Sequence, residues 1–421
     1  MKNHKSNLLI NLILINLCFS LLFSCSGDSS SGKENIIDVE NALKNFCVGN
    51  LGDYASNIDY IRLETNDSSV LGNITDIFLE KGLLFIADDK DVCRIFDSNG
   101  KYIRSINRIG RGPEEYLSIR DMYVSSKTGN IMIMDHSGVI TEYSMYGDFI
   151  RKIAPPDREK SYLGFTLLDD NLIAASIFTI LSEEGTSESG YIIYDTTLNV
   201  LSRYSRRSGK IEIKGKEGET VISSVKLDPV LINRYSDKTI LSSNNSDTLS
   251  LLDEKFNPAP WYIFDFGKYS ADPVDLIANR VDDNSSVITK YASVILVDNF
   301  LFVTFKMRGL APEPFENQSS QLPPNIILPK NTNVCGVYNT ISGKLTLLNQ
   351  PLQATPGLKD NLKGGPPFWP MFISSKKEMI NYYDAFKLIM LQEETGIEFK
   401  GLLSITKDLG EADNPVIVIA K

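Results

Sequence analysis

At 421 residues the chain has room for several average domains, or for one large repeat architecture in which each unit packs only on its neighbours. Its 42% hydrophobic and 23% charged residues are ordinary for a globular protein. A net charge of −10, with no basic cluster beyond Arg203-Tyr204-Ser205-Arg206-Arg207, argues against a nucleic-acid partner. With only two histidines, His4 and His136, a zinc site built on several histidines is excluded.

The N-terminus reads as a targeting segment. Lys2 and Lys5 precede an apolar run from Leu8 to Phe23, shorter than the ~20 apolar residues a membrane span needs. The run ends at Leu22-Phe23-Ser24-Cys25, followed by a Ser/Gly-rich stretch from Ser26 to Gly32. This pattern resembles a bacterial lipoprotein signal, with Cys25 as the lipidated residue. The expected organisation is a signal peptide over residues 1–24, a lipidated cysteine and flexible tether over 25–50, and one folded domain over 51–421. Acyl chains would anchor the protein to a membrane, each buried CH₂ contributing ~0.8 kcal/mol. The resemblance implies that Ser26 after the cysteine permits sorting to the outer membrane, on either its periplasmic or its surface side. Cys47, Cys93 and Cys335 allow at most one disulfide, and Cys93 reads as a small buried thiol.

Next in the chain, Asn57 to Thr65 alternates apolar and polar residues, as a half-buried strand does. A repeat follows it. Asp88 and Asp135, Gly100 and Gly147, and Ile106 and Ile153 are each 47 residues apart. A period of this length built of short strands indicates propeller blades. The predicted strands a to d are 74–79, 83–87, 92–96 and 101–106 in blade 1, and 120–124, 130–134, 139–143 and 148–153 in blade 2. Asn99-Gly100 marks a hairpin turn.

Later blades diverge. Blade 3 reads from Leu172-Ile173-Ala174-Ala175, blade 4 from 227–266 and blade 5 from 292–348. Blade 6 reads from Trp369–Ile373, Phe386–Met390 and Val416–Ala420. The expected fold is therefore all-β: a six-bladed propeller of four-stranded blades, the last closed by strand 58–63. A strict 47-residue period would give nearly eight blades. Six is preferred because 177–190, 306–333 and 391–414 read as insertions.

At Gly110-Arg111-Gly112-Pro113-Glu114-Glu115-Tyr116 the sequence resembles the six-bladed β-propeller lipoproteins of Bacteroidetes, which are similar to NHL-repeat proteins. Ile61-Arg62-Leu63-Glu64-Thr65, Asp265-Phe266-Gly267 and Asn414-Pro415-Val416-Ile417-Val418 carry the same resemblance. Position 114 is often glycine in that family and is Glu114 here. The resemblance implies a cell-envelope location and a propeller, and no catalytic residues.

In such a fold the b–c loops and the connections between blades share one face, and the expected insertions fall there. Long loops on a rigid scaffold are common binding positions. Arg108, Arg111, Glu114, Tyr116 and Arg120 are candidate ligand contacts. The arginines would stand around the central channel, where guanidinium groups bind carboxylate or sulfate. The simpler reading of Gly-Arg-Gly-Pro is a structural turn with Tyr116 packed between blades.

Asp88, Asp89 and Asp135 offer oxygens for Ca²⁺, although solvated hairpin tips are the preferred reading. His136 is a candidate base, and Trp369 a candidate stacking surface for a sugar or peptide. No cofactor is expected, Ca²⁺ being the single alternative. The leading function is a binding scaffold, tethered to the membrane, for a partner protein or a glycan or peptide ligand. The alternative is a propeller enzyme of the lactonase or lyase kind with an all-oxygen Ca²⁺ site at the channel mouth.

Overall fold

The protein is an all-β ring of six four-stranded blades. The computed structural model describes residues 35–181, 186–208, 210–214, 220–224, 227–235, 237–244, 246–271, 285–316 and 329–421. The chain divides into Met1–Asn35 and Ile36–Lys421, and the second unit builds the propeller. Cys25 and the predicted signal lie outside the described residues.

Blade 1 has strands a to d at Ile74–Glu80, Leu83–Asp88, Cys93–Asp97 and Tyr102–Ile106. Blade 2 repeats them at Asp121–Val124, Ile131–Met134, Ile140–Tyr143 and Phe149–Ile153. In blade 2 every residue of strand b is buried. In each blade strand a forms one sheet edge and borders the centre of the ring. All pairings among strands a to d are antiparallel. The b–c turns and the blade-to-blade connections therefore emerge on one face, and the short a–b and c–d turns on the other.

Blade 3 differs from expectation. Residues 177–190 are not a loop insertion: strands b and c, Leu172–Leu181 and Thr186–Asp195, extend as one long hairpin paired from Leu172↔Asp195 to Leu181↔Thr186. Strand a, Ser161–Asp169, was not predicted, and strand d is Val200–Arg207. A further hairpin, Lys210–Lys214 with Thr220–Ser224, follows it. Blade 4 runs from Leu231–Tyr235 to Pro258–Asp265, and blade 5 from Val287–Val297 to Lys344–Leu348.

In blade 6 the predicted strand Phe386–Met390 is instead part of a helix, Ala385–Thr395, capped by Gly396 at φ 64°. Ala385 and Leu388, one turn apart, are buried beneath it. The actual second strand is Met379–Tyr383.

The third strand of blade 6, Val416–Ala420, pairs with Met379–Tyr383 on one side and with Ile58–Arg62 on the other. The last strand of the chain is thus held by one of the first, which leaves no open seam. Asn414 bolts this junction. Its Oδ1 accepts from the Leu71 N–H at 2.8 Å, and its Nδ2 donates to the carbonyls of Glu64 and Ser69 at 2.8 and 2.9 Å. Arg62 pairs with Asp413 at 2.7 Å, and Lys421 with Asp59 at 2.9 Å.

Residues 35–50, expected within the tether, are part of the fold. Asn35–Asp38 adds a fifth strand to the outer edge of blade 4. Phe46–Cys47 runs parallel to the outer strand of blade 5. Ile37 and Val39 are 1% and 0% exposed. This apolar burial, worth about 1.5–3 kcal/mol for a full side chain, gives the segment a reason to dock. The chain therefore runs along the rim of blades 4, 5 and 6 before it enters blade 1.

Candidate functional site

The innermost strands of all six blades surround a central channel of about 1150 Å³. Because strand a is a sheet edge in every blade, its outward backbone groups have no neighbouring strand to pair with. The channel is therefore polar by construction, and side chains decide its chemistry.

Toward the face of the short turns, the channel's charges are mostly engaged. Glu80 accepts from the Ser375 N–H at 2.9 Å and from its hydroxyl at 2.6 Å, joining blades 1 and 6. Lys377 pairs with Asp298 at 2.6 Å, joining blades 6 and 5. Arg234 donates to the carbonyl of Leu168. These contacts read as struts between blades.

Toward the opposite face the arrangement changes. Asp76 and Asp121 come from the first strands of blades 1 and 2, and both line the channel half-buried. They occupy equivalent places: Asp76 pairs with Ala87 and Asp121 with Met134, and those partners are one repeat apart. Asp121 is fixed by the next blade, because its Oδ2 accepts from the Phe165 N–H at 2.6 Å and its Oδ1 from the Met122 N–H at 2.9 Å. Among the described residues no hydrogen bond reaches the Asp76 carboxylate.

Burial, and then the Asp121 charge, raise the pKa of Asp76 well above the ordinary carboxylate range. Burial pushes Asp121 up to about 7, against the hydrogen bonds from Phe165 and Met122 and the charge of Arg120. Two neighbouring carboxylates in a shielded site resist ionising together.

The sign of the resulting pH effect follows from linkage. The folded state holds a proton that the unfolded state, with a carboxyl pKa of about 4, has lost. Stability from this source is present below pH ~4 and declines as pH rises toward about 7. We expect Asp76→Asn to lessen that decline, the part carried by the buried Asp121 remaining, so that the substitution raises Tm by a few degrees more at pH 7.5 than at pH 4.5. Thermal melts of both proteins across pH 4–8 check it; parallel profiles would refute it.

A collar of apolar side chains stands at the same mouth. Leu231 and Met371, the residues at the starts of blades 4 and 6, line the channel at 37% and 48% exposure. Leu163 and Phe372 complete it, and Trp261 lines the channel wall.

The residues singled out from sequence lie elsewhere. None of Arg108, Arg111 and Arg120 lines the channel, contrary to expectation. Arg108 pairs with Glu114 at 3.0 Å and sits 5.8 Å from the Tyr143 ring centroid, while Arg111 and Arg120 are exposed. Tyr116 is buried between blades 1 and 2, its hydroxyl 2.8 and 3.0 Å from the carbonyls of Asp91 and Ile106. The Gly112 N–H donates to Glu115 at 2.7 Å, closing the loop on itself. The Gly-Pro-x-Glu-Tyr signature thus works as a clasp between blades.

Asp88 is buried, bonded to Arg94 at 2.6 Å and to the Gly72 N–H at 2.7 Å. Asp89 accepts from Asn73. Asp135 accepts from the Ser137 and Val139 N–H groups, as a hairpin tip does. These three are not brought together, and among the described residues no group of three or more His, Cys, Asp or Glu could hold a metal ion. His136 is exposed at the tip of its hairpin. Trp369 packs on Phe302 with ring centroids 5.5 Å apart and donates to Thr304 at 3.1 Å, so its indole joins blades 6 and 5.

Sequence reasoning missed Asp76 and Asp121. The signal was present, since aspartate is disfavoured inside strands. Blade 2 has a longer a–b turn than blade 1, so the two aspartates are 45 residues apart and fall off the 47-residue register.

The described residues also hold one buried lysine. Lys290 is 2% exposed and donates to the Ser242 hydroxyl and the Ser243 carbonyl at 3.0 and 3.1 Å. Burial lowers its pKa to about 8. It ties blade 5 to blade 4 and does not line the channel.

Comparison with known structures agrees on the fold. A protein of Bacteroides fragilis NCTC 9343, provisionally described as exported, is similar at 15% identity and a TM-score of 0.62, over 92% of this chain and 99% of that one. A member of the DUF4221 family from Bacteroides vulgatus ATCC 8482 has 11% identity and a TM-score of 0.48, over 87% and 96%. No curated protein matches the chain in sequence. The family described as Domain of unknown function (DUF4934) matches residues 34–421, covering the whole propeller, and the chain belongs to that family.

Proposed function

We propose that the protein is a cell-envelope lipoprotein, anchored through Cys25, whose propeller is a scaffold that binds a glycan or peptide ligand. The likeness to the NHL-like propeller lipoproteins of Bacteroidetes, together with the signal ending at Cys25, supports the envelope location. One observation carries the binding reading. A channel of about 1150 Å³ gathers the innermost strands of all six blades, and its mouth pairs free carboxylate chemistry with an apolar collar. Ligand pockets commonly combine apolar walls with a few convergent polar groups. The binding position is thus the channel mouth on the face of the blade-to-blade connections.

Two measurements test the two parts separately. Cys25→Ala should move the protein from the membrane fraction to the soluble fraction; unchanged fractionation would refute the anchor. Screening peptidoglycan fragments, oligosaccharides and peptides by thermal shift should yield a ligand that protects the wild type. Met371→Glu, which places a charge in the collar, should weaken that ligand at least tenfold. Unaltered affinity in this variant would move the site away from the mouth.

A further inference from the structure

We infer that the ligand of the channel is an organic cation: a protonated amine on an apolar body, held between Asp76, Asp121 and Ser176. This rests on the channel-binding reading and names the chemistry of the polar groups at its mouth.

The first observation is charge left without a partner. Glu80, Arg234, Asp298 and Lys377 are tied into struts and Asp237 pairs with Lys238 at 3.6 Å, whereas the Asp76 carboxylate receives no hydrogen bond among the described residues. Its neighbour Asp121 accepts only backbone N–H groups. Two carboxylates so placed have acceptors to spare, and among the described residues neither forms an ion pair, the nearby Arg120 charge acting on Asp121 without a bond.

The second observation is independent of the carboxylates. Ser176 lines the channel, is 2% exposed, and its Oγ has no hydrogen-bond partner. An unsatisfied buried hydroxyl costs about 1–3 kcal/mol. Ser176 lies directly across the sheet from Gly164, so its side chain stands on the same face as the missing Gly164 side chain. A Cβ at Gly164 would come within 2.9 Å of Asp121 Oδ2. The Asp121 carboxylate therefore packs against the bare Gly164 backbone, on the same face of the sheet as the Ser176 hydroxyl. An ammonium has three donors and no acceptor, which matches two carboxylates and a hydroxyl.

The third observation concerns size. The channel is far larger than an ion needs, and beyond the carboxylates it offers Leu163, Leu231, Met371 and Trp261. This is a place for the apolar body of the ligand. Burial and mutual repulsion make the carboxylates reluctant to ionise, as reported above, and a bound cation would relieve that cost.

The test uses the full-length protein in detergent, carrying Trp369→Phe so that Trp261 is the remaining fluorophore. Its circular dichroism and melt are first matched to wild type. The probes are n-hexylammonium chloride, n-hexanol and CaCl₂. We expect hexylammonium to change Trp261 fluorescence saturably, and to bind at least tenfold more tightly than hexanol. Asp76→Asn should abolish that preference while leaving hexanol unaffected; no structural hydrogen bond is lost in this variant. Ser176→Ala, which removes only the hydroxyl, should weaken hexylammonium severalfold.

Equal binding of hexylammonium and hexanol, indifferent to Asp76→Asn, would overturn the cation assignment and leave the channel reading standing. Binding of neither probe would overturn both. Micromolar Ca²⁺ that excludes hexylammonium, and does so only with Asp76 present, would assign the carboxylates to a metal and overturn the proposal.

Discussion

Deleting residues 416–421 will leave a chain with no cooperative thermal transition. Val416, Ile417, Val418, Ile419 and Ala420 are all within 2% of full burial, and they pair on both sides. Burying each of the four larger side chains contributes roughly 1.5–3 kcal/mol, or about 6–12 kcal/mol together. A domain's whole net stability is about 5–15 kcal/mol. The deletion also strands Ile58–Arg62, whose only sheet partner is this strand. Near-ultraviolet circular dichroism during heating checks the expectation. A sharp transition within a few degrees of full length would refute it. A graded version is Ile417→Ala, expected to cost about 2–5 kcal/mol.

Asp88→Ala should destabilise the protein by about 3–5 kcal/mol in urea unfolding. The Asp88 side chain is completely buried, and that of Arg94 is 9% exposed. Asp88 also accepts from the N–H groups of Gly72, Lys90 and Val92 at 2.7, 3.2 and 3.4 Å. Removing the carboxylate leaves a buried guanidinium and a turn of N–H groups without their acceptor. Breaking one side of a buried ion pair is costly for that reason. The double variant Asp88→Leu, Arg94→Met should recover part of the loss, because no uncompensated charge remains. The deficit should be the same in Ca²⁺ and in EDTA. A deficit that disappears in EDTA would restore the Ca²⁺ role considered for Asp88. A loss under 1 kcal/mol would mean that solvent reaches the pair.

The propeller was legible wherever the repeat stayed regular. Blades 1 and 2 differ by one 47-residue step at Asp88 and Asp135, and at Ile106 and Ile153, because the stretch from the aspartate at the b–c turn to the end of strand d is equally long in both. The closing strand was legible from its apolar–polar alternation, and Ile58–Arg62 is an outer strand, buried at Ile58 and half-buried from Asp59 to Arg62.

Three things were hidden for physical reasons. Phe386 to Met390 is an apolar run too short to separate strand from helix by period. The long hairpin of blade 3 keeps strand character through what looked like an insertion, so its polar Ser187, Glu188 and Ser189 misled; all three are buried, and Glu188 is paired with Lys160 at 2.5 Å. A short strand over Ile36–Val39 and helical turns after it could be read from the sequence, but elements as brief as strand Asn35–Asp38, helix Val39–Ala42 and strand Phe46–Cys47 do not show that the segment docks on the rim.

The site was less legible than the fold. Gly110, Arg111, Gly112 and Tyr116 stand out in the sequence because a clasp between blades needs unusual residues. The channel is lined instead by ordinary strand positions. Asp76 and Asp121 acquire their chemistry only from the ring that brings blades 1 and 2 side by side.

The closure of blade 6 also sets a schedule. Strand Ile58–Arg62 is synthesised about 350 residues before Val416–Ala420, with which it pairs. At roughly 5–20 residues per second the early strand waits on the order of 20–70 s for its partner. An unpaired strand in that interval is a template for wrong pairings. Asp59 and Arg62, which end in ion pairs with Lys421 and Asp413, carry charge on the waiting strand throughout. The same two side chains that fasten the finished ring therefore guard its open end while the ring is being made.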